Sequence, residues 1–399
     1  MPTNKIPQFE FIALMAAMMS LAALSIDAIL PGLPQIGQTI QRADTEDLRL
    51  IIIMIFLGLG VGQLILGTLS DSFGRKPIVY AGIFIFLFAS FICITATSLE
   101  VMLLGRVLQG VGLSAPRSVS TSIIRDLYSG DYMARIMSFI AVVFILVPMV
   151  APILGQFVLN HYSWQAVFYF QIVYGLILFI WFAVRQVETL PKPKRIKLTR
   201  HLFADGVKEF FKYKDSIIFT LISGLMTGAF MVYLSSSQHI FQDQYGLIDE
   251  FVFIFAGMAF FMGLSTFMNG TFVLKLGMKK LATTALYTFT ATSLMYILLF
   301  FQSENPDVYI LLFFICLQFL SLGFVFGNVR ALTMQPIGHI AGIGASLSGF
   351  VSTVIGVPIA IVFSQNLQNT ALPLFIGFFS CGLISLILIQ LLKKWEVPG

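Results

Sequence analysis

Apolar residues along this chain are grouped into long runs separated by short polar stretches. Twelve runs can be distinguished, at about 9–30, 48–69, 77–98, 101–123, 136–158, 164–184, 216–238, 250–272, 280–301, 308–329, 343–364 and 371–392. A helix rising 1.5 Å per residue needs roughly 20 apolar residues to cross the hydrocarbon of a bilayer, and each run meets that length. The pattern therefore predicts an all-α polytopic membrane protein with twelve transmembrane helices. One long hydrophilic segment interrupts it and divides the chain into a six-helix bundle over 1–184, a linker over 185–215 and a second six-helix bundle over 216–399. Within the linker, Pro191 and Pro193 forbid regular helix. Further on, Phe203, Val207, Phe210 and Phe211 share one face of a short helix, with Lys208, Lys212 and Lys214 elsewhere. Such a helix is expected to lie at the membrane surface near anionic lipid.

Composition agrees: 58% of residues are hydrophobic, 11% are charged, and the mean hydropathy is +0.91. The net charge of +5 is explained by its location rather than by nucleic-acid binding. With the N-terminus in the cytoplasm, Lys5, Arg75, Lys76, Arg125, Arg135, Lys275, Lys279, Lys280, Arg330, Lys393 and Lys394 all fall inside. So do the nine Lys and Arg from Arg185 to Lys214, while Arg42 and Arg49 fall outside among Asp44, Glu46 and Asp47. That asymmetry satisfies the positive-inside rule and requires an even number of spans. The first run, which could pass for a signal peptide after Lys5, is therefore retained, and both termini are placed in the cytoplasm. Cys93, Cys316 and Cys381 lie in apolar runs without paired or metal-like spacing, and His161, His201, His239 and His339 form no ligand pattern. No metal site, disulfide framework, P-loop or catalytic triad is expected, so neither an enzyme nor a hydrolysis-driven pump is indicated.

Charges inside the runs narrow the chemistry. Glu10 and Glu250 sit at the first residues of their runs, and Asp27 is the one carboxylate further inside. An acid retained in hydrocarbon faces water, a partner or a substrate, and it can serve as a proton-binding site. The bland alternative is an acid near a helix end, wetted from outside. Arg106 in the fourth run lies at similar depth and is the expected partner of Asp27. Arg117 is about three turns further along nearly the same face, lining a polar cavity or else snorkelling to the interface. In the second half Tyr233, Gln238, Phe260, Gln318, Asn328 and Ser346–Ser348 either line a cavity or serve packing and interhelical hydrogen bonds.

The polar connections carry motifs. Gly67-Thr68-Leu69-Ser70-Asp71-Ser72-Phe73-Gly74-Arg75-Lys76-Pro77 joins the second and third runs, and Gly270 to Lys280 repeats it 203 residues later. Both glycines, the threonine and one lysine keep register, but Leu274 replaces Asp71. A repeat of this kind makes the two halves pseudo-symmetric. The stretch G-x-L-x-D-x-x-G-R-K resembles the signature between helices 2 and 3 of the major facilitator superfamily. Arg106-Val107-Leu108-Gln109-Gly110-Val111-Gly112 is similar to that family's R-x-x-Q-G-x-G. Asp27-Ala28-Ile29-Leu30-Pro31-Gly32-Leu33-Pro34 resembles the D-x-x-L-P-x-x-P of proton-coupled drug exporters, with Ile29 where tyrosine is usual. Arg125-Asp126-Leu127-Tyr128 resembles the bicyclomycin and chloramphenicol resistance (Bcr/CflA) branch. Pro148-Met149-Val150-Ala151-Pro152-Ile153-Leu154-Gly155-Gln156 is similar to the antiporter motif, but Ala151 and Gln156 stand where glycines are usual.

The resemblance implies a secondary transporter of a bacterial inner membrane, working by alternating access as a monomer. It would be powered by the proton gradient without a cofactor and would export amphiphilic drug-like compounds. A proton-coupled uptake carrier for a small metabolite is the alternative within the class, and a transport-inactive sensor or scaffold the alternative outside it. The resemblance further implies that Asp27 and Arg106 couple protons and that Gly67, Asp71, Gly74, Arg75, Lys76 and Arg125 form a gate. In that gate Asp71 would pair with Arg125 and face the start of the eleventh helix near Gly342–Ala345. Pro148, Pro152 and Gly155 would bend the fifth helix, and Arg117, Tyr233 and Asn328 would line the cargo cavity.

Overall fold

A computed structural model describes residues 7–40, 45–128, 130–195, 207–301, 304–337, 341–367 and 370–396. Among these residues there is no strand, and twelve long helices fall on the twelve predicted runs. They are α1 (Gln8–Asp27), α2 (Thr45–Phe73), α3 (Arg75–Ile94), α4 (Leu99–Leu127), α5 (Gly130–His161), α6 (Gln165–Arg185), α7 (Lys214–Gln238), α8 (Phe251–Leu276), α9 (Met278–Phe300), α10 (Val308–Met334), α11 (Ala341–Gln365) and α12 (Leu372–Glu396). Ten helices among the described residues are long and apolar enough to cross a membrane. The chain forms two compact units, Met1–Arg200 and His201–Gly399.

Helices in lipid gain little from burying apolar surface, so close backbone approach at small residues replaces it. In the first unit a Cβ on Gly58 would overlap the Val107 carbonyl of α4, and one on Gly110 would overlap the Ile55 carbonyl of α2. Gly82 and Gly112 bring α3 onto α4 in the same way, since a Cβ on Gly112 would come 2.5 Å from the Phe86 nitrogen. In the second unit α8 and α10 meet at Ser265 and Gly323, while Gly224 and Gly228 admit the side chains of Ile355 and Ile359 from α11. Both short turns that follow the second helix of a unit rest on a positive-φ glycine. These are Gly74 at φ 106° and Gly277 at φ 78°, 203 residues apart as the repeat predicts.

Two expectations change. The first run carries one helix that ends early, at Asp27, and beyond it a 3-10 turn over Leu30–Gly32 and a short helix over Leu33–Thr39 extend the chain past the predicted run. Within the linker Phe203 lies outside the described residues, and Phe210 is buried against Ile337 and Leu347 of its own unit, with only Phe211 exposed. That segment is held by protein packing rather than laid flat on lipid. A phenylalanine gains dispersion contacts from a matched apolar pocket that fluid lipid chains do not supply.

Candidate functional site

The break in α1 follows from its prolines. Pro31 has no N–H to donate to the Asp27 carbonyl, and Pro34 has none for Leu30. The backbone recovers one bond by tightening, with the Gly32 N–H donating to the Ile29 carbonyl at 2.9 Å. This irregular stretch lies against α5. A Cβ on Gly155 would overlap the Ala28 carbonyl, and Gly32 faces the Leu159 side chain at 3.2 Å. Gly155 of the antiporter-like stretch thus packs onto the residue next to Asp27, with buried Pro152 three residues earlier and Pro148 in the turn before. Gln156, where a glycine was usual, donates to Asn160 at 2.7 Å along its own helix. Asp27 is 4% exposed and is the only buried carboxylate among the described residues. None of those residues gives it a hydrogen bond or ion pair.

Arg106 is fully buried nearby, yet the expected Asp27–Arg106 pair is not formed. Its Nε donates to the Ile51 carbonyl at 3.0 Å, and Nη1 donates to the Ser25 carbonyl at 3.1 Å and to Gln109 Oε1 at 2.9 Å. Ser25 is in the last turn of α1, where a helix leaves carbonyls without intrahelical donors, and the guanidinium takes one of them. Nη2 has no partner among the described residues. Gln109 in turn donates to Ser90 Oγ at 2.7 Å and to Gln171 Oε1 at 3.4 Å. One buried knot therefore ties α1, α2, α3, α4 and α6 together two residues from Asp27. Ser90 and Gln171 carry no motif and escaped the sequence reading. The available signal was polar residues on the inner faces of apolar runs.

The turn between α2 and α3 is a second polar cluster in the same unit. Gly74 ends α2, and Arg75 turns inward, nearly fully buried. Its Nη1 pairs with Asp71 at 2.7 Å and donates to Ser70 Oγ at 2.8 Å, and Ser70 Oγ donates to the Gly67 carbonyl at 2.7 Å. The other edge forks onto Asp126, at 2.9 Å from Nε and 3.3 Å from Nη2. The expected Asp71–Arg125 pair is absent because Arg75 takes both acids, and Arg125 points out, exposed. Lys76 folds back onto the end of α6. It donates to the Gln186 carbonyl at 2.6 Å and to the Ala183 carbonyl at 3.1 Å. Glu188, just beyond α6, places its two carboxylate oxygens on the Arg75 and Lys76 N–H groups at 3.0 and 3.1 Å. An acid there suits the positive end of α3. Thr189 donates to Asp126 at 3.0 Å, so the start of the linker is sewn onto the turn. Glu188 and Thr189 were unreadable from sequence, since only the fold-back of the chain brings them here.

Of the remaining predicted residues, Arg117 follows Pro116 in α4 and is half-buried. Asn328 is buried and donates to Asn269 Oδ1 at 2.7 Å, joining α10 to α8. Tyr233 is buried in α7 among phenylalanine rings. Among the described residues there is no group of His, Cys, Asp and Glu able to hold a metal.

A family model described as the Major Facilitator Superfamily matches residues 15–363. A bicyclomycin resistance protein homolog of Haemophilus influenzae is 25% identical over 397 residues, with 95% of each chain covered. Multidrug resistance protein MdtL of Salmonella paratyphi A is 26% identical over 386 residues, covering 95% of this chain and 94% of that one. In three dimensions a D-xylose-proton symporter superposes with a TM-score of 0.73 at 13% identity, covering 95% of this chain and 97% of that one. At that identity the likeness shows the fold alone.

Proposed function

The chain belongs to the Major Facilitator Superfamily, and from that premise we propose that it is a proton antiporter exporting amphiphilic drug-like compounds. It works by alternating access across a bacterial inner membrane, with both termini in the cytoplasm. The observation that carries this reading is Asp27: a buried carboxylate without hydrogen bond or ion pair among the described residues, at a proline-made break in a membrane-spanning helix. Broken helices in transporters mark binding sites, because irregular backbone at membrane depth is tolerated where it serves a site. A carboxyl group in that position exchanges a proton without first breaking a salt bridge. The unprotonated form is costly in hydrocarbon, so its release of a proton is linked to arrival of a compensating group or of water.

The other residues take supporting roles. Arg106 fixes the end of α1 through the Ser25 carbonyl, and Gly155 sets the distance of α5 from Asp27. Export is supported by the relatives, whose names carry bicyclomycin and multidrug resistance, and the drug-like cargo is inferred from them. Susceptibility profiling of an efflux-deficient strain expressing the chain tests direction and cargo together. Raised resistance to several unrelated compounds, abolished by Asp27→Asn, is expected. Hypersensitivity would instead make the chain an uptake carrier.

A further inference from the structure

In the second unit the turn between α8 and α9 adjoins a cavity of about 690 Å³, which also reaches the start of α7 and the end of α10. Its charged lining is Lys279 and Lys280 against one acid, Asp215. That acid sits in the first turn of α7, where it suits the positive end of its own helix. The same two lysines, with Thr283, Thr284 and Tyr287, line a smaller cavity of about 350 Å³ along α9. At the Gly74 turn the bases are answered by Asp71, Asp126 and Glu188. Two of those acids have neutral counterparts here. Leu274 replaces Asp71, and Gln335 stands 209 residues after Asp126, the spacing that also separates Gln109 from Gln318. Lys280 takes the place of Pro77, is exposed, and makes no ion pair among the described residues. The protein thus brings more positive charge to this cavity than it neutralises, and an anion from outside completes it.

The surroundings say which anion. Both α8 and α9 are long and apolar enough to cross a membrane, so the turn joining them lies at its surface. From the lysines a single exposed stripe runs up α9 through Lys280, Thr284, Tyr287, Ala291, Leu294 and Leu298, at alternating spacings of four and three residues. The stripe is polar beside the cavities and apolar beyond Tyr287, an aromatic residue suited to the interface. From Tyr287 to Leu298 the helix rises about 16 Å, close to one leaflet's half of a hydrocarbon core of about 30 Å. A free phosphate would use the cavities alone, whereas a phospholipid uses the cavities and the stripe together.

We propose that the two cavities and this stripe form a binding site for an anionic phospholipid. Lys279 and Lys280 hold the phosphate, and one acyl chain lies along α9 beyond Tyr287. Basic pockets between membrane helices at the bilayer surface suit such headgroups, and a lysine ammonium meets a phosphate as a compact point charge. The site requires only that the chain spans a membrane. Failure of proton coupling or of drug export leaves it standing, and its own failure leaves both of those standing.

The test uses the full chain purified in a neutral detergent, with binding of phosphatidylglycerol labelled on one acyl chain followed by fluorescence polarisation. Phosphatidylcholine with the same label is the neutral comparison. Wild type should bind the anionic lipid about twentyfold more tightly than the neutral one. Lys279→Gln combined with Lys280→Gln should remove that preference, at about fivefold per lysine, with the melting temperature unchanged. Lys280→Gln alone should lose about fivefold, whereas Lys280→Arg, which keeps the charge, should lose less than about twofold. Lys208→Gln combined with Lys212→Gln removes two exposed linker lysines and should change binding less than about twofold. Equal binding of the anionic lipid by wild type and the Lys279/Lys280 double variant would overturn the proposal, as would an equal loss in the linker variant. So would displacement of the labelled lipid by inorganic phosphate beyond that by chloride at matched ionic strength, which would make the cavity a site for the free ion.

Discussion

The turn at Gly74 and the turn at Gly277 use the same backbone device 203 residues apart, but the polar contacts around them differ. At Gly74 a buried arginine binds two acids, a lysine reaches two carbonyls, and Glu188 caps the following helix. At Gly277 a Cβ would meet nothing within 4 Å, and Leu274, in place of Asp71, is 87% exposed. A cavity of about 690 Å³ adjoins that second turn, lined among others by Asp215, Lys279, Lys280 and Gln335. Duplication preserved the geometry, which a single glycine encodes. It did not preserve the chemistry, which needs several residues brought together from distant parts of the chain.

The buried cores teach the same lesson. Gln109 bonded to Ser90 recurs as Gln318 bonded to Ser293 at 3.0 Å, with Phe289 in the register of Phe86. Where the first unit has Arg106, the second has buried Ile315. Gly62 opposite Ser114 becomes Ser265 opposite Gly323, the small residue and the hydroxyl having exchanged helices. Among the described residues, every buried charged side chain belongs to the first unit, and the second buries only neutral polar groups. That separation agrees with the proposed proton site in the first unit.

Glycine substitutions break the comparison hardest. Gly58→Val drives a side chain into the α4 backbone and should lower stability by about 3 kcal/mol or more. Gly257→Val in α8 enters open space and should stay within about 0.5 kcal/mol of wild type. Thermal unfolding of the purified proteins in detergent measures both. Equal losses would show that the close crossing of α2 and α4 is not needed.

Next come the turns. Arg75→Gln strands two carboxylates, and removing one partner of a buried pair costs about 3–5 kcal/mol, reduced here to about 2–3 because both acids are partly exposed. Lys280→Gln at the second turn should change stability by less than about 0.5 kcal/mol. The same unfolding midpoints decide this, and a small loss for Arg75→Gln would mean that solvent satisfies the acids.

The glutamines give the smallest contrast. Gln109→Leu removes bonds to Arg106 and Ser90, and should cost about 2 kcal/mol, against about 1 for Gln318→Leu. Parity between them would remove Arg106 from the account of the first core.

How far the chain could be read in advance follows from these differences. Span number was legible because hydrocarbon imposes one length and one polarity on every crossing helix. The glycine turn was legible because a positive φ restricts residue choice locally. Asp27 was legible as an isolated carboxylate, and Pro31 beside it implied the break. Partners were not legible. Arg106 was placed at the right depth, but a side chain of that length chooses among carbonyls, amides and acids, and only the packed bundle decides. Arg75 displaced Arg125 because a residue four positions from Asp71 reaches it within the same turn, whereas Arg125 must cross from another helix. Glu188 needed the whole chain path from α3 to the end of α6.

The claim that the first unit holds the coupling group is tested most directly by cargo-driven proton movement in proteoliposomes containing wild type or Asp27→Asn. Asparagine keeps the shape and cannot take up a proton, so Asp27→Asn should insert and unfold like wild type while its cargo-induced pH change is lost. Proton movement at the wild-type rate in Asp27→Asn would contradict the account and place the proton site elsewhere.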